Sequence, residues 1–236
     1  MNTQPIEKRT NSLNGELEVH SVFRTIQGEG PFCGTPCVFV RLAGCNLACE
    51  FCDTDYTTRR MFYSVTNLVN RVQELREKGL VVITGGEPFR QNILPFIRDL
   101  IHHGYYVQVE TNGTLPFPNC AYSYIPSNKR GLYIVLSPKT QKVNKDAFNL
   151  ACCVKYVIDC KNIREEDGLP ITVLNHPCKT FVARPPTGWD RPIYVQPMDV
   201  PDDLDWTKEN IKAATHLCLE NGYTLQLQIH KIIGLE

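Results

Sequence analysis

The sequence predicts an α/β fold on a mostly parallel sheet, and three observations carry that reading. An amphipathic helical stretch, a glycine and a buried apolar strand succeed one another three times, which is the rhythm of βα units. Apolar, β-branched runs recur along the chain at strand length rather than helix length. Composition sits near the globular average, with 42% hydrophobic and 21% charged residues among 236, so collagen-like, low-complexity and wholly disordered chains are excluded.

Taken in order, residues 1–15 read as a flexible tail, polar and without an apolar period. Strands are expected at 19–26, 37–42, 80–84, 105–110, 132–136, 154–159, 193–196 and 224–229. The helix at 66–78 places Leu68, Val69, Val72 and Leu75 on one face and meets Gly79 as its stop. A second helix at 92–103 ends at Gly104, and a third at 205–220 ends at Asn221 and Gly222. Between 115 and 130, and again between 161 and 192, Pro and Gly are dense and periodicity is weak, so the helical layer thins there. With no composition boundary after the tail, 16–236 reads as a single domain.

Charge balances at 25 basic against 25 acidic residues, so there is no overall basic surplus for non-specific nucleic-acid binding, and only a local basic patch would support it. No apolar run nears the ~20 residues that span a bilayer, and the N-terminus lacks a secretory h-region, so a cytoplasmic protein without membrane or nucleic-acid partners is expected. Eleven cysteines are the outlier. An odd count at uneven spacing argues for metal or redox chemistry over a disulfide framework.

Three of them, Cys45, Cys49 and Cys52, form C-x-x-x-C-x-x-C directly after a predicted strand. Three thiolates on a short loop can bind one face of a 4Fe-4S cluster and leave the fourth iron open. An open iron can chelate the amino and carboxylate groups of a methionyl end. A zinc site would need a fourth ligand, with Cys33 or Cys37 the candidates, and a Cys49/Cys52 redox pair leaves Cys45 unexplained. Downstream, Thr84-Gly-Gly-Glu-Pro88 is a strand running into a glycine turn, where backbone can approach a ligand and Glu87 offers an acceptor for an ammonium.

With these elements the chain resembles the radical S-adenosylmethionine superfamily, and within it the 7-carboxy-7-deazaguanine synthases. The likeness rests on Gln27-Gly-Glu-Gly30, Arg41-Leu-Ala-Gly-Cys45-Asn, Cys52-Asp-Thr54, Thr84-Gly-Gly-Glu-Pro, Glu110-Thr-Asn-Gly113, Ser137-Pro-Lys139, Gln196-Pro197 and the ending Gln228-Ile-His-Lys-Ile-Ile-Gly-Leu-Glu236. It covers most of 16–236 and is weakest over 140–190. It implies a partial (β/α) barrel with a thinned helical layer. The implied activity is that of a carbon–nitrogen lyase of queuosine-type 7-deazapurine biosynthesis. The enzyme contracts 6-carboxy-5,6,7,8-tetrahydropterin to 7-carboxy-7-deazaguanine with loss of ammonia, by way of a 5′-deoxyadenosyl radical.

The resemblance also distributes roles. Cys45, Cys49 and Cys52 bind the 4Fe-4S cluster, and the Thr54 hydroxyl binds Mg2+. S-adenosylmethionine lies against Phe51, Cys52, Asp53, Gly86, Glu87, Ser137, Pro138, Lys139 and the run Gln196, Pro197, Met198, Asp199. The pterin is met by Gln27, Gly28, Glu29, Thr84 and the terminal carboxylate of Glu236, with the Arg41 guanidinium forked onto its carboxylate. His230 is a secondary candidate. A low-potential flavodoxin or ferredoxin and a homodimeric assembly are the partners implied. The eight remaining cysteines (Cys33, Cys37, Cys120, Cys152, Cys153, Cys160, Cys178 and Cys218) read as small buried apolar groups. Two alternatives stay open: an activase for a glycyl-radical enzyme, and a small iron–sulfur or zinc module without catalysis.

Overall fold

A computed structural model describes residues 2–10, 15–117 and 131–235. It contains one nine-stranded sheet in the order β3-β1-β2-β4-β5-β6-β7-β8-β9. The strands are β1 (Leu17–Ile26), β2 (Pro36–Leu42), β3 (Met61–Tyr63), β4 (Leu80–Gly85), β5 (Tyr106–Thr111), β6 (Leu132–Leu136), β7 (Ala151–Ile158), β8 (Ile193–Pro197) and β9 (Thr224–Leu225). From β2 to β9 every pairing is parallel, whereas β1 runs antiparallel to both β2 and β3. The sheet is an open partial barrel, as the α/β reading anticipates.

Alternation along the strands sorts the two faces. Val38, Val40 and Leu42 of β2, Val81 and Ile83 of β4, Val107 and Val109 of β5, and Val154, Tyr156 and Ile158 of β7 pack into one apolar core. Their neighbours Arg41, Thr84, Glu110 and Lys155 turn to the other, concave face and line a cavity. The outer face is covered by α1 (Val65–Leu75), α2 (Leu94–His102) and α4 (Leu204–Asn221), with the short α3 (Ala147–Leu150), while α5 (Ile229–Ile232) lies at the cavity, which its His230 and Lys231 line. Ser64 caps α1 by accepting from the Asn67 amide, and Leu68, Val69 and Val72 are its buried stripe. Gly222 closes α4 in the left-handed conformation at φ 71°, as the Asn-Gly stop predicts. No helix among the described residues is long and apolar enough to cross a membrane.

The structure departs from the sequence reading in four places. Residues 2–10 are not a free tail, because their amides and side chains bond across the loop that carries the cysteines. The last expected strand, 224–229, is paired only at Thr224 and Leu225, and 229–232 coils into α5 instead. The helix expected over 66–78 unwinds at Arg76, whose extended backbone starts the approach to β4 before Gly79 is reached. Among the spare cysteines, Cys37 and Cys153 are buried as expected, but Cys33 is exposed and Cys152, Cys160, Cys178 and Cys218 are half-buried; Cys120 lies outside the described residues.

Candidate active site

The loop between β2 and β3 carries Cys45, Cys49 and Cys52, and all three thiols border one cavity of about 570 Å³ at the C-terminal ends of the parallel strands. The loop is fixed by backbone. Gly86 donates to the Leu42 carbonyl at 3.2 Å and Glu87 to the Gly44 carbonyl at 3.1 Å. A Cβ at Gly86 would stand 1.9 Å from the Gly44 oxygen, so only glycine lets the two segments lie this close. Side chains add a second tie: Asn46 donates to Thr114 at 2.8 Å and accepts from Asn112 at 3.0 Å, joining the loop to the end of β5.

Burial pushes the Cys45 thiol up to about 12 and the Cys49 thiol up to about 11, with neighbouring thiols adding to the shift. Burial likewise raises Cys52. These groups ionise readily only with positive charge between them. All three are free thiols, and among the described residues no set of His, Cys, Asp or Glu crowds tightly enough to hold a single metal ion. Three soft donors spread around one cavity fit a polynuclear iron–sulfur group better than mononuclear zinc.

The other expected residues are distributed unevenly. Phe51, Asp53, Thr54, Gly86, Ser137, Lys139, Gln196, Met198 and Asp199 line the cavity, as do Gln27, Glu29, Arg41 and Thr84. Gln196 holds a buried Oε1 with no hydrogen-bond partner, an acceptor the chain itself leaves for a ligand. Glu87, Pro138 and Pro197 do not line it. The Glu87 carboxylate is spent within the protein, accepting from the Phe89 amide at 3.0 Å, the Thr111 hydroxyl at 2.7 Å and the Asn112 amide at 2.8 Å. It braces β4 against β5. Gly28 stands behind the surface, where its missing side chain makes room for His230; a Cβ there would sit 1.8 Å from Nδ1. Glu236 lies outside the described residues, although Leu235, next to it in sequence, borders the cavity.

Gln27 and Glu29 arrive by an unforeseen route. Because β1 is antiparallel, its last residue Ile26 pairs with Pro36 at the start of β2, so these side chains enter from the end opposite the cysteine loop. They floor the cavity with groups from the inner face of the strands. Glu29 bonds to Lys155 and accepts from Gln228 at 2.8 Å, while Lys155 also lies 3.4 Å from Glu110. Gln27 donates to Glu110 at 3.0 Å. Burial alone would raise the Glu29 carboxyl, but the Lys155 ammonium outweighs it and holds it below the usual range. Burial alone would lower Lys155, but Glu110 and Glu29 together raise it.

Nearer the mouth, Lys231 pairs with Asp53 at 3.2 Å and Asp199 at 2.9 Å. Lys155 was missed as a site residue, and Glu110, Gln228 and Lys231 were noticed only within the motifs that carry the resemblance. The signal for Lys155 was present, since a lone lysine interrupts the otherwise apolar run 151–158. Gln228 and Lys231 stand in the matched C-terminal ending, which by itself singles out neither as a partner of Glu29 or Asp53.

Comparison with known proteins places these features. The Radical SAM superfamily model matches residues 40–137, the stretch from the cysteine loop to Ser137. The 7-carboxy-7-deazaguanine synthase of Rickettsia prowazekii is 39% identical over 94% of this chain and 89% of its own. That of Rhodospirillum rubrum is 39% identical over 93% and 92% respectively. The crystal structure of QueE from Escherichia coli superposes with a TM-score of 0.62 over 90% of this chain and 93% of that one, at 21% identity, which establishes a common fold. By identity sustained along nearly the whole sequence, the chain belongs to the 7-carboxy-7-deazaguanine synthase family of the radical SAM superfamily.

Proposed function

We propose that this cavity carries out the family's reaction as a carbon–nitrogen lyase, contracting 6-carboxy-5,6,7,8-tetrahydropterin to 7-carboxy-7-deazaguanine and releasing ammonia. The observation that carries the reading is that the three-thiol loop and the floor of Gln27, Glu29 and Lys155 face one volume from opposite ends. That volume lies within the ~300–1,000 Å³ usual for small-molecule sites.

Cys45, Cys49 and Cys52 would hold the 4Fe-4S cluster. S-adenosylmethionine would lie along Phe51, Gly86, Ser137, Lys139, Gln196 and Met198. Together these two groups supply hydrogen abstraction from the substrate. The chain's own residues bind and orient. Glu29 and Glu110 against Lys155 leave the floor one negative charge in excess, which suits an edge rich in N–H donors such as the pterin's amino and ring N–H pair. Arg41, with its guanidinium carbon 5.5 Å from the Phe23 ring centre, offers a fork for the substrate carboxylate. Thr54 places a hard oxygen on the cavity wall for Mg2+, with substrate oxygens and water completing the shell. His230 screens the floor from water. A flavodoxin or ferredoxin as electron donor, a homodimeric assembly and a cytoplasmic setting complete the proposal.

Anaerobic reconstitution with reductant, S-adenosylmethionine and the carboxytetrahydropterin, followed by mass analysis and ammonia assay, tests it. Arg41→Lys should raise the substrate KM about tenfold, the loss of one charge-assisted contact, while S-adenosylmethionine cleavage survives. Collapse of cleavage at unchanged substrate KM would move Arg41 to the cofactor side.

A further inference from the structure

Residues 2–10 lie across the outside of the cysteine loop, and their contacts fall beside each cysteine in turn. Asn2 donates from its side chain to the Cys49 carbonyl at 3.0 Å and from its amide to the Glu50 carbonyl at 2.8 Å. The Gln4 side chain donates to the Thr54 carbonyl at 2.9 Å, two residues past Cys52, and accepts from the Tyr56 amide at 2.8 Å and the Thr57 hydroxyl at 3.1 Å. Glu7 donates its amide to the Cys45 carbonyl at 2.7 Å, where Ile6 forms a parallel bridge. The Glu7 carboxylate is anchored in turn, 2.5 Å from Arg60 and 3.3 Å from the buried Arg90; both arginines also pair with Glu18 of β1.

The cysteine loop has no helix or strand between β2 and β3, so its carbonyls depend on partners outside it. The strap supplies them at four positions. It adds little to the core: Thr3, Pro5, Lys8 and Arg9 are exposed, and Ile6 is 65% exposed. Its contribution is therefore to the shape of one loop. We infer that Asn2, Gln4 and Glu7 are positioning residues for the iron–sulfur cluster, holding the loop's carbonyls outward so that Cys45, Cys49 and Cys52 stay arranged for binding. This rests on the three-cysteine cluster reading above. The cluster should be retained less firmly when the strap is weakened, with the sheet unaffected.

The experiment compares the anaerobically reconstituted protein with an Asn2→Ala/Gln4→Ala double variant and with Gln4→Glu. Iron and sulfide are counted, the bleaching of visible absorbance is timed after addition of a ferrous chelator, and the cluster-free forms are melted. The double variant should bleach about tenfold faster, as expected for the loss of several hydrogen bonds. Its melting temperature should stay within about 2 °C of the unsubstituted protein. Gln4→Glu, which still accepts from Tyr56 and Thr57 but cannot donate to Thr54, should fall between. Equal bleaching rates, or faster bleaching only in proportion to a lowered melting temperature, would overturn the inference. An unsubstituted protein that takes up no iron would defeat the cluster reading instead.

Discussion

The two halves of the sheet are covered by different means. Over β2, β4 and β5 the cover is helical, with α1 burying Leu68, Val69 and Val72 and α2 burying Phe96, Ile97 and Leu100. Over β7 and β8 the cover is shared between α4, which buries Ala214 and Leu217, and the connection 159–192, which has no helix, yet Leu169, Val173 and Val182 from it are fully part of the core. A helix satisfies its own backbone, whereas an irregular segment must borrow side chains to do so. Here the lender is Arg184, which forks onto Asp167 at 2.7 and 3.3 Å and donates to the carbonyls of Pro170, Val182 and Leu169. The site is divided along the same line. The first half offers clustered motifs on loops, and the second offers single residues from separate strands: Ser137 just past β6, Lys155 within β7 and Gln196 near the end of β8.

The sharpest way to break this comparison is at the cysteine loop. Replacing Cys45, Cys49 or Cys52 by Ala should abolish visible absorbance and turnover together, while Cys37→Ala and Cys152→Ala should keep both. A requirement for Cys37 would mean that the cluster motif is not confined to the loop. Next in size is Lys155→Met, which strands the buried carboxylate of Glu29 and the partly buried one of Glu110 and should cost about 3–5 kcal/mol in urea unfolding. Glu29 is held below its ordinary value by this lysine, so the contribution is present above about pH 4.5 and is lost as pH falls through its folded value. The gap between the two proteins should therefore narrow in acid, and a gap independent of pH down to 3 would remove Glu29 from the account.

Two smaller substitutions weigh the two covers against each other. Arg184→Ala should cost about 1.5–3 kcal/mol, because charge-assisted bonds to Asp167 and to three loop carbonyls go together. Ser64→Ala should cost about 1 kcal/mol, the value of one N-cap. Equal costs in matched denaturation curves would erase the distinction between borrowed and intrinsic satisfaction.

The sequence was most readable where structure is made by neighbours in the chain. The α1 stripe, the Gly222 stop and the Gly-Gly-Glu-Pro turn all depend on residues a few positions apart, and each is found where its pattern predicts. The Glu87 carboxylate shows the limit, since the motif marks the turn but not which way its side chain points. That is decided by Thr111 and Asn112 on the next strand. The strap was misread for the same reason: a short polar stretch has no apolar period, and only the distant carbonyls of Cys49 and Thr54 give it a place. Gln228 meets Glu29 across 199 positions of sequence, a pairing no local pattern encodes.

The alternation that sends Val154 and Tyr156 to the core and Lys155 to the cavity also bears on how the chain finds its register while folding. Parallel strands bury both faces and are easily mispaired, because an apolar run slipped by one position can remain apolar on each side. In β7 a slip of one residue would drive the Lys155 ammonium into the layer beneath α4 and turn Tyr156 onto the carboxylates of Glu29 and Glu110. The charged floor thus checks strand alignment during assembly, rejecting the mispaired sheet before any ligand is met.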